Sequence, residues 1–114
     1  MSSGIYQIRN LVNNKVYIGK SINIVKRWTK HRKLLRENKH TNTHLQNAIT
    51  KYGLENFQLL VIELCEEKVH NETEIYWISY YKSTDNKYGY NKVPGGNGGR
   101  LNPESLARMA ASMR

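Results

Sequence analysis

Apolar positions along this chain change period several times, and each change marks an element. Ile5-Tyr6-Gln7-Ile8 and Val16-Tyr17-Ile18 are β-branched and aromatic runs that suit a pleated strand. Asn13-Asn14 lies between them and tolerates the positive φ of a tight turn, so the spacing predicts a hairpin. With period two along each strand and odd positions paired to even ones across it, Tyr6, Ile8, Tyr17 and Gly19 share one face. A register shifted by two residues keeps that face. Gly19 is expected to leave open space beside the two hydroxyls. Taken alone, the hairpin is more simply read as two half-buried sheet tyrosines and a glycine bulge.

From residue 22 to about 38 the period becomes helical, with Ile24, Trp28, His31 and Leu35 on one stripe. His31 therefore lies among apolar residues, Arg27 sits on the edge of the stripe, and Lys26, Lys30, Lys33 and Arg36 turn outward. A core histidine satisfied by a backbone carbonyl would explain His31 without any chemistry. Lys39-His40-Thr41-Asn42 reads as a loop with His40 on its surface. A second helix is predicted from residue 42 or 43 to 52, burying Leu45, Ala48, Ile49 and Tyr52 and ending at Gly53. Residues 57–64 are nearly continuous in apolar character, which predicts a strand covered on both faces and packed between helices.

A third helix is predicted from residue 69 or 71 to 81, with His70, Glu74, Trp77, Ile78 and Tyr81 on one stripe and Glu72 turned away. A carboxylate buried without a partner costs several kcal/mol, so Glu74 requires a cation, either Arg27 or a bound metal ion. An Arg27–Glu74 pair that merely supports the fold is the plain alternative. Ser83-Thr84-Asp85-Asn86 is turn material, and Tyr88-Gly89-Tyr90-Asn91 returns the chain toward the domain, with Asn91 readable as a turn residue. The glycines from Gly95 onward place a domain boundary there: a globular unit over 1–93, then a linker and short helix over 94–114. Asn102-Pro103-Glu104 reads as the cap and first turn of that helix.

Composition narrows the function. A chain of 114 residues with 39% hydrophobic content supports one small core. Its net charge of +9, from 18 Lys and Arg against 9 Asp and Glu, points to a polyanionic partner, with nucleic acid ahead of an anionic membrane surface. No apolar run reaches transmembrane length and no signal-type segment follows Met1, so an intracellular protein without a membrane partner is expected. Cys65 is the single cysteine, which excludes an intramolecular disulfide and any cysteine-built zinc site.

Gly4-Ile5-Tyr6, Tyr17-Ile18-Gly19, Lys26-Arg27-Trp28 with His31, Glu74 ahead of Tyr76-Trp77-Ile78, and Gly89-Tyr90-Asn91 occur in this order over residues 3–91. Together they resemble the GIY-YIG nuclease family, most of all the catalytic domains of phage and intron-encoded homing endonucleases. The resemblance implies an α+β fold, a small three-stranded antiparallel sheet flanked by helices, and metal-dependent hydrolysis of DNA phosphodiester bonds. It implies catalytic positions at Tyr6, Tyr17, Arg27, His31, Glu74 and Asn91, and at His40 within the homing subgroup only. Glu74 would hold one Mg²⁺ or another divalent cation such as Mn²⁺.

Double-stranded DNA is the expected partner, contacted by Lys26, Lys30, Lys33 and Arg36, with a further DNA-binding domain or partner protein supplying specificity. A repair or restriction nuclease of the same fold and a non-catalytic basic DNA-binding module are the alternatives. Arg27 offers a fork of donors to a phosphate, and Tyr17 suits the orientation of water or phosphate. A phenol ordinarily titrates near 10, so Tyr6 needs help at neutral pH: His31 accepting its proton, or metal and Arg27 lowering its pKa.

Overall fold

In a computed structural model that describes residues 2–95, Gly4–Asn10 forms strand β1, Val16–Ser21 strand β2 and Phe57–Leu64 strand β3. Helices α1 (Ile24–Arg36) and α2 (Thr43–Tyr52) lie between β2 and β3 in sequence, and α3 (His70–Tyr81) follows β3. The sheet is antiparallel with order β2-β1-β3. Tyr6 pairs with Gly19 and Ile8 with Tyr17, so these four positions share a face as the alternation predicts. The connection is longer than a two-residue turn. Asn14 alone of the two asparagines takes a positive φ, 65°, while the Asn10 N–H donates to the Lys15 carbonyl and the Asn14 N–H to the Asn10 carbonyl. The register is thereby shifted by two residues, which leaves the face unchanged.

β1 is the strand buried on both sides. Tyr6 and Ile8 pack with Ile24, Leu35, Leu45, Ile49, Phe57 and Tyr90 on one face, and Ile5, with Val16 and Ile18 of β2, packs on Ile78 of α3 on the other. β3, expected to be covered on both faces, is instead an edge strand, with Val61 49% and Leu64 65% exposed. Its apolar run reflects the fit of branched residues to extended backbone, a preference that edge and central strands share. A register shift between Ile5 and Tyr6 interrupts the β1–β3 ladder.

Local chemistry sets the helix ends. The Asn23 side chain accepts from the Lys26 N–H and that of Asn42 from the Leu45 N–H, starting α1 and α2, and Gly53 at φ 89° ends α2. Residues 88–91 run along the free edge of β2: the Val16 N–H donates to the Tyr88 carbonyl and the Tyr90 N–H to the Val16 carbonyl. Gly95, the last described residue, is buried beside α3. The expected linker glycines beyond it and the expected short helix lie outside the described residues. No helix among the described residues is long and apolar enough to cross a membrane.

Candidate active site

Four elements converge on one cavity of about 370 Å³, lined by Tyr6 of β1, Tyr17, Gly19 and Lys20 of β2, Arg27 of α1 and Glu74 of α3. A larger cavity of about 780 Å³ lies at the junction of α1 and β3, around Trp28, Arg32, Arg36 and Phe57, and gathers no comparable set of phenols and carboxylate. Gly19 does not leave open space as expected. A β-carbon there would lie 2.4 Å from the Tyr6 hydroxyl oxygen, so the Tyr6 ring lies directly across the glycine. The phenol is thereby fixed at the wall of the cavity, with the residue 1% exposed.

Behind Tyr6 stands a file of two histidines. The Tyr6 hydroxyl is 2.7 Å from His31 Nε2, and His31 Nδ1 is 2.7 Å from His40 Nε2. The two imidazoles stack at 5.0 Å between centroids with planes 22° apart. His31 is therefore held by another side chain and not by a backbone carbonyl. His40 is not a surface residue of its loop but is buried, because its backbone N–H donates to Gln46 Oε1 (3.1 Å) and the Asn42 N–H donates to its Nδ1 (3.0 Å). Gln46 also donates to the Leu35 carbonyl at 3.0 Å, tying the loop to the end of α1. Sequence reasoning missed Gln46; its place one residue off the apolar stripe of α2 was the signal.

Asn91 is also buried, and its amide is spent on the backbone of one residue: Oδ1 accepts from the Ile18 N–H at 2.8 Å and Nδ2 donates to the Ile18 carbonyl at 2.9 Å. It holds β2 in place between Tyr17 and Gly19. Glu74 has Lys20 Nζ at 3.8 Å, and Lys20 also donates to Asn71 Oδ1. This cation was not foreseen. Period two groups Lys20 with Val16 and Ile18, the residues that face α3, so the pairing was open to the sequence. Lys26, Arg27, Lys30, Lys33 and Arg36 are all exposed along α1, and of these Arg27 lines the cavity.

Burial pushes the Tyr6 hydroxyl well above its ordinary value; Tyr17 and Glu74 act in the same sense and Arg27 opposes them. Burial likewise raises Tyr17, with Glu74 adding and Arg27 opposing. His31 is lowered to about 4, first by burial and then by the nearby His40, Arg27 and Lys30 charges. Burial also lowers His40, with the Asn42 backbone opposing in part. Both imidazoles are neutral at neutral pH.

Among the described residues no three His, Cys, Asp or Glu side chains gather into a metal cage. Glu74, largely buried and opening on a polar cavity that Glu67 also lines, fits Mg²⁺, which keeps several waters and shares its remaining positions with substrate phosphate. A cation on Glu74 would also reverse the sign of the charge that the carboxylate presents to Tyr6.

A three-stranded antiparallel sheet carrying two phenols beside a guanidinium and a carboxylate from two flanking helices defines an α+β domain with one polar, mixed-charge cavity at the sheet. The chain belongs to the GIY-YIG family: the model of the GIY-YIG catalytic domain matches residues 2–89. It is 40% identical over 90 residues to intron-associated endonuclease 1 of Enterobacteria phage T4, covering 77% of this chain and 36% of that protein. It is 33% identical over 97 residues to probable intron-encoded endonuclease 1 of Neurospora crassa, covering 79% of this chain and 30% of that one. The chain thus spans about a third of the length of the curated relatives it matches. In structure it resembles the catalytic domain of intron endonuclease I-TevI, solved as a glutamate-to-alanine mutant, with TM-score 0.78 and 37% identity over 86% of this chain and all of that one. A second structure, of the catalytic domain of homing endonuclease I-TevI, gives TM-score 0.73 and 38% identity, covering 78% of this chain and 96% of that one.

Proposed function

We propose that this chain is the catalytic domain of a homing-type endonuclease that hydrolyses phosphodiester bonds of double-stranded DNA, with one Mg²⁺ or Mn²⁺ held at Glu74. The convergence of Tyr6, Tyr17, Arg27 and Glu74 on one cavity supports this reading above all. Arg27 reaches the cavity from an exposed helix face, where its fork of N–H donors can meet a scissile phosphate and take up the charge of the pentacoordinate state. Tyr6 and Tyr17 present hydroxyls on the sheet side and orient phosphate or attacking water, Tyr6 held from behind by His31. The cation would polarise the phosphate and neutralise charge when bound.

Lys26, Lys30, Lys33 and Arg36 extend the positive surface away from the cavity along α1 and would follow the DNA backbone. Target choice is assigned to sequence outside this domain or to a partner protein, with 95–99 as the joint, since phosphate contacts carry no sequence information. A DNA substrate and a free Cys65 fit an intracellular setting.

The test is incubation with supercoiled plasmid and Mg²⁺, with and without chelator. Nicked or linear product that disappears with chelator is expected. Glu74→Gln, nearly the same shape without the charge, is expected to abolish cleavage while DNA binding and melting temperature stay close to the parent. Binding without cleavage under any divalent cation would make the chain a non-catalytic module. Mg²⁺-dependent nicking by Glu74→Gln would remove Glu74 as the ligand.

A further inference from the structure

We infer that the file Asn42–His40–His31–Tyr6 has one fixed polarity, running from the Asn42 backbone amide toward the cavity, so that His31 donates a hydrogen bond to the Tyr6 oxygen and does not receive the Tyr6 proton. This deepens the proposed nuclease reading and rests on it for its mechanistic meaning, though not for its geometry.

The polarity follows from an anchor that cannot reverse. A backbone N–H is always a donor, and that of Asn42 points at His40 Nδ1 from 3.0 Å. His40 Nδ1 is therefore the bare nitrogen, and the neutral ring carries its proton on Nε2. That proton faces His31 Nδ1 at 2.7 Å, which makes His31 Nδ1 an acceptor and places the proton of neutral His31 on Nε2. His31 Nε2–H then faces the Tyr6 oxygen at 2.7 Å. The opposite polarity would set two N–H groups against each other at the Asn42 end, inside a buried site where an unmatched donor is costly.

Two consequences separate this arrangement from a histidine base. Tyr6 keeps its own hydrogen for the cavity side, toward the space where a phosphate or water would sit. His31 stabilises negative charge on the Tyr6 oxygen by donation, so activation of this phenol has to come from the cavity side, from Arg27 and the cation at Glu74. His40 and Gln46 become positioning residues. His40 sets the tautomer of His31, and Gln46 holds His40 in reach by accepting its backbone N–H and anchoring to Leu35.

The test is the tautomeric state of both rings, read from long-range ¹H–¹⁵N correlation spectra of the ¹⁵N-labelled chain at neutral pH without DNA or metal. A protonated, pyrrole-type Nε2 and a bare, pyridine-type Nδ1 are expected in both His31 and His40. A proton on His31 Nδ1, or a doubly protonated His31, overturns the inference. In His40→Gln the side-chain NH₂ can stand where the imidazole Nε2–H stood, so His31 is expected to keep its tautomer; in His40→Leu it is expected to lose it. Cleavage should follow the same order, with His40→Gln roughly 10-fold or more faster than His40→Leu, in the range seen when an outer-shell partner is removed. If both variants show the same His31 spectrum, His40 does not set the tautomer and the inference fails. Because the spectra need neither DNA nor metal, failure of the nuclease reading would leave them unchanged.

Discussion

Gly19 lies directly opposite Tyr6 in the β1–β2 register, and the Tyr6 ring occupies the space that a side chain at 19 would need. A β-carbon at that position would be 2.4 Å from both Cζ and the hydroxyl oxygen of a phenol that is 1% exposed and held by His31. The ring can give way toward the cavity only by giving up its bond to His31. Gly19→Ala is therefore expected to destabilise the fold by about 1–3 kcal/mol through overpacking. Displacing the hydroxyl by about 1 Å is expected to cost on the order of 100-fold in cleavage. Paired melting curves and single-turnover rates check this, and a variant with parental values in both would show that the ring is not pinned.

The parts legible in the sequence are those that depend on period. Alternation put Tyr6, Tyr17 and Gly19 on one face whatever the exact turn, and helical spacing put His31 and Glu74 on buried stripes. What was not legible depends on tertiary contact. The exposure of β3 was hidden because a run of branched residues has the same pattern at an edge as in the middle of a sheet. The burial of His40 was hidden because it comes from Gln46 and Asn42 closing a loop over it, and loops carry no period. The Lys20–Glu74 pair was half legible: period two puts Lys20 on the face toward α3, but which turn of the helix it meets is set by packing.

Acid should weaken the fold through His31. Its folded-state value of about 4 lies below the ordinary 6.5, so between these values the unfolded chain binds more protons than the native one. Stability is then complete above about pH 6.5 and declines as pH falls toward 4, by up to about 3 kcal/mol if the whole difference is expressed. His40, also lowered, acts in the same sense. Denaturant melts of the parent and of His31→Gln between pH 7 and 4.5 measure it. The variant is expected to be less stable at pH 7 and distinctly flatter with pH; an equal slope in both would assign the acid sensitivity elsewhere.

The exposed cations of α1 make a separate prediction about salt. If Lys30 and Lys33 each neutralise one phosphate of duplex DNA, each alanine substitution should reduce the slope of log affinity against log salt by about 0.9. Affinity should fall alike on matched and scrambled duplexes, because these contacts read no bases. Fluorescence anisotropy at several salt concentrations gives the slopes. A loss confined to one duplex sequence would show that α1 reads bases.

Asn91 offers a prediction in which charge and shape can be separated. Its amide completes the free edge of β2, accepting from the Ile18 N–H and donating to the Ile18 carbonyl where residues 88–91 run alongside. Asn91→Ala leaves both the N–H and the carbonyl of buried Ile18 without these partners, a loss of about 1–3 kcal/mol for each group. Asn91→Asp keeps the shape and the bond from the Ile18 N–H, yet sets a carboxylate oxygen against the Ile18 carbonyl. Burial and that repulsion favour the protonated acid, whose O–H can donate where the amide did. The variant's folded-state pKa should therefore exceed the unfolded value of about 3.9, so its native form binds the extra proton and its stability falls as pH rises through that window. Asn91→Asp should approach the parent near pH 4 and fall behind it at pH 7, where Tyr17 and Gly19 lose their support and cleavage slows with it. A penalty that does not change with pH would mean that the Asn91 donor bond to Ile18 contributes little to holding the strand.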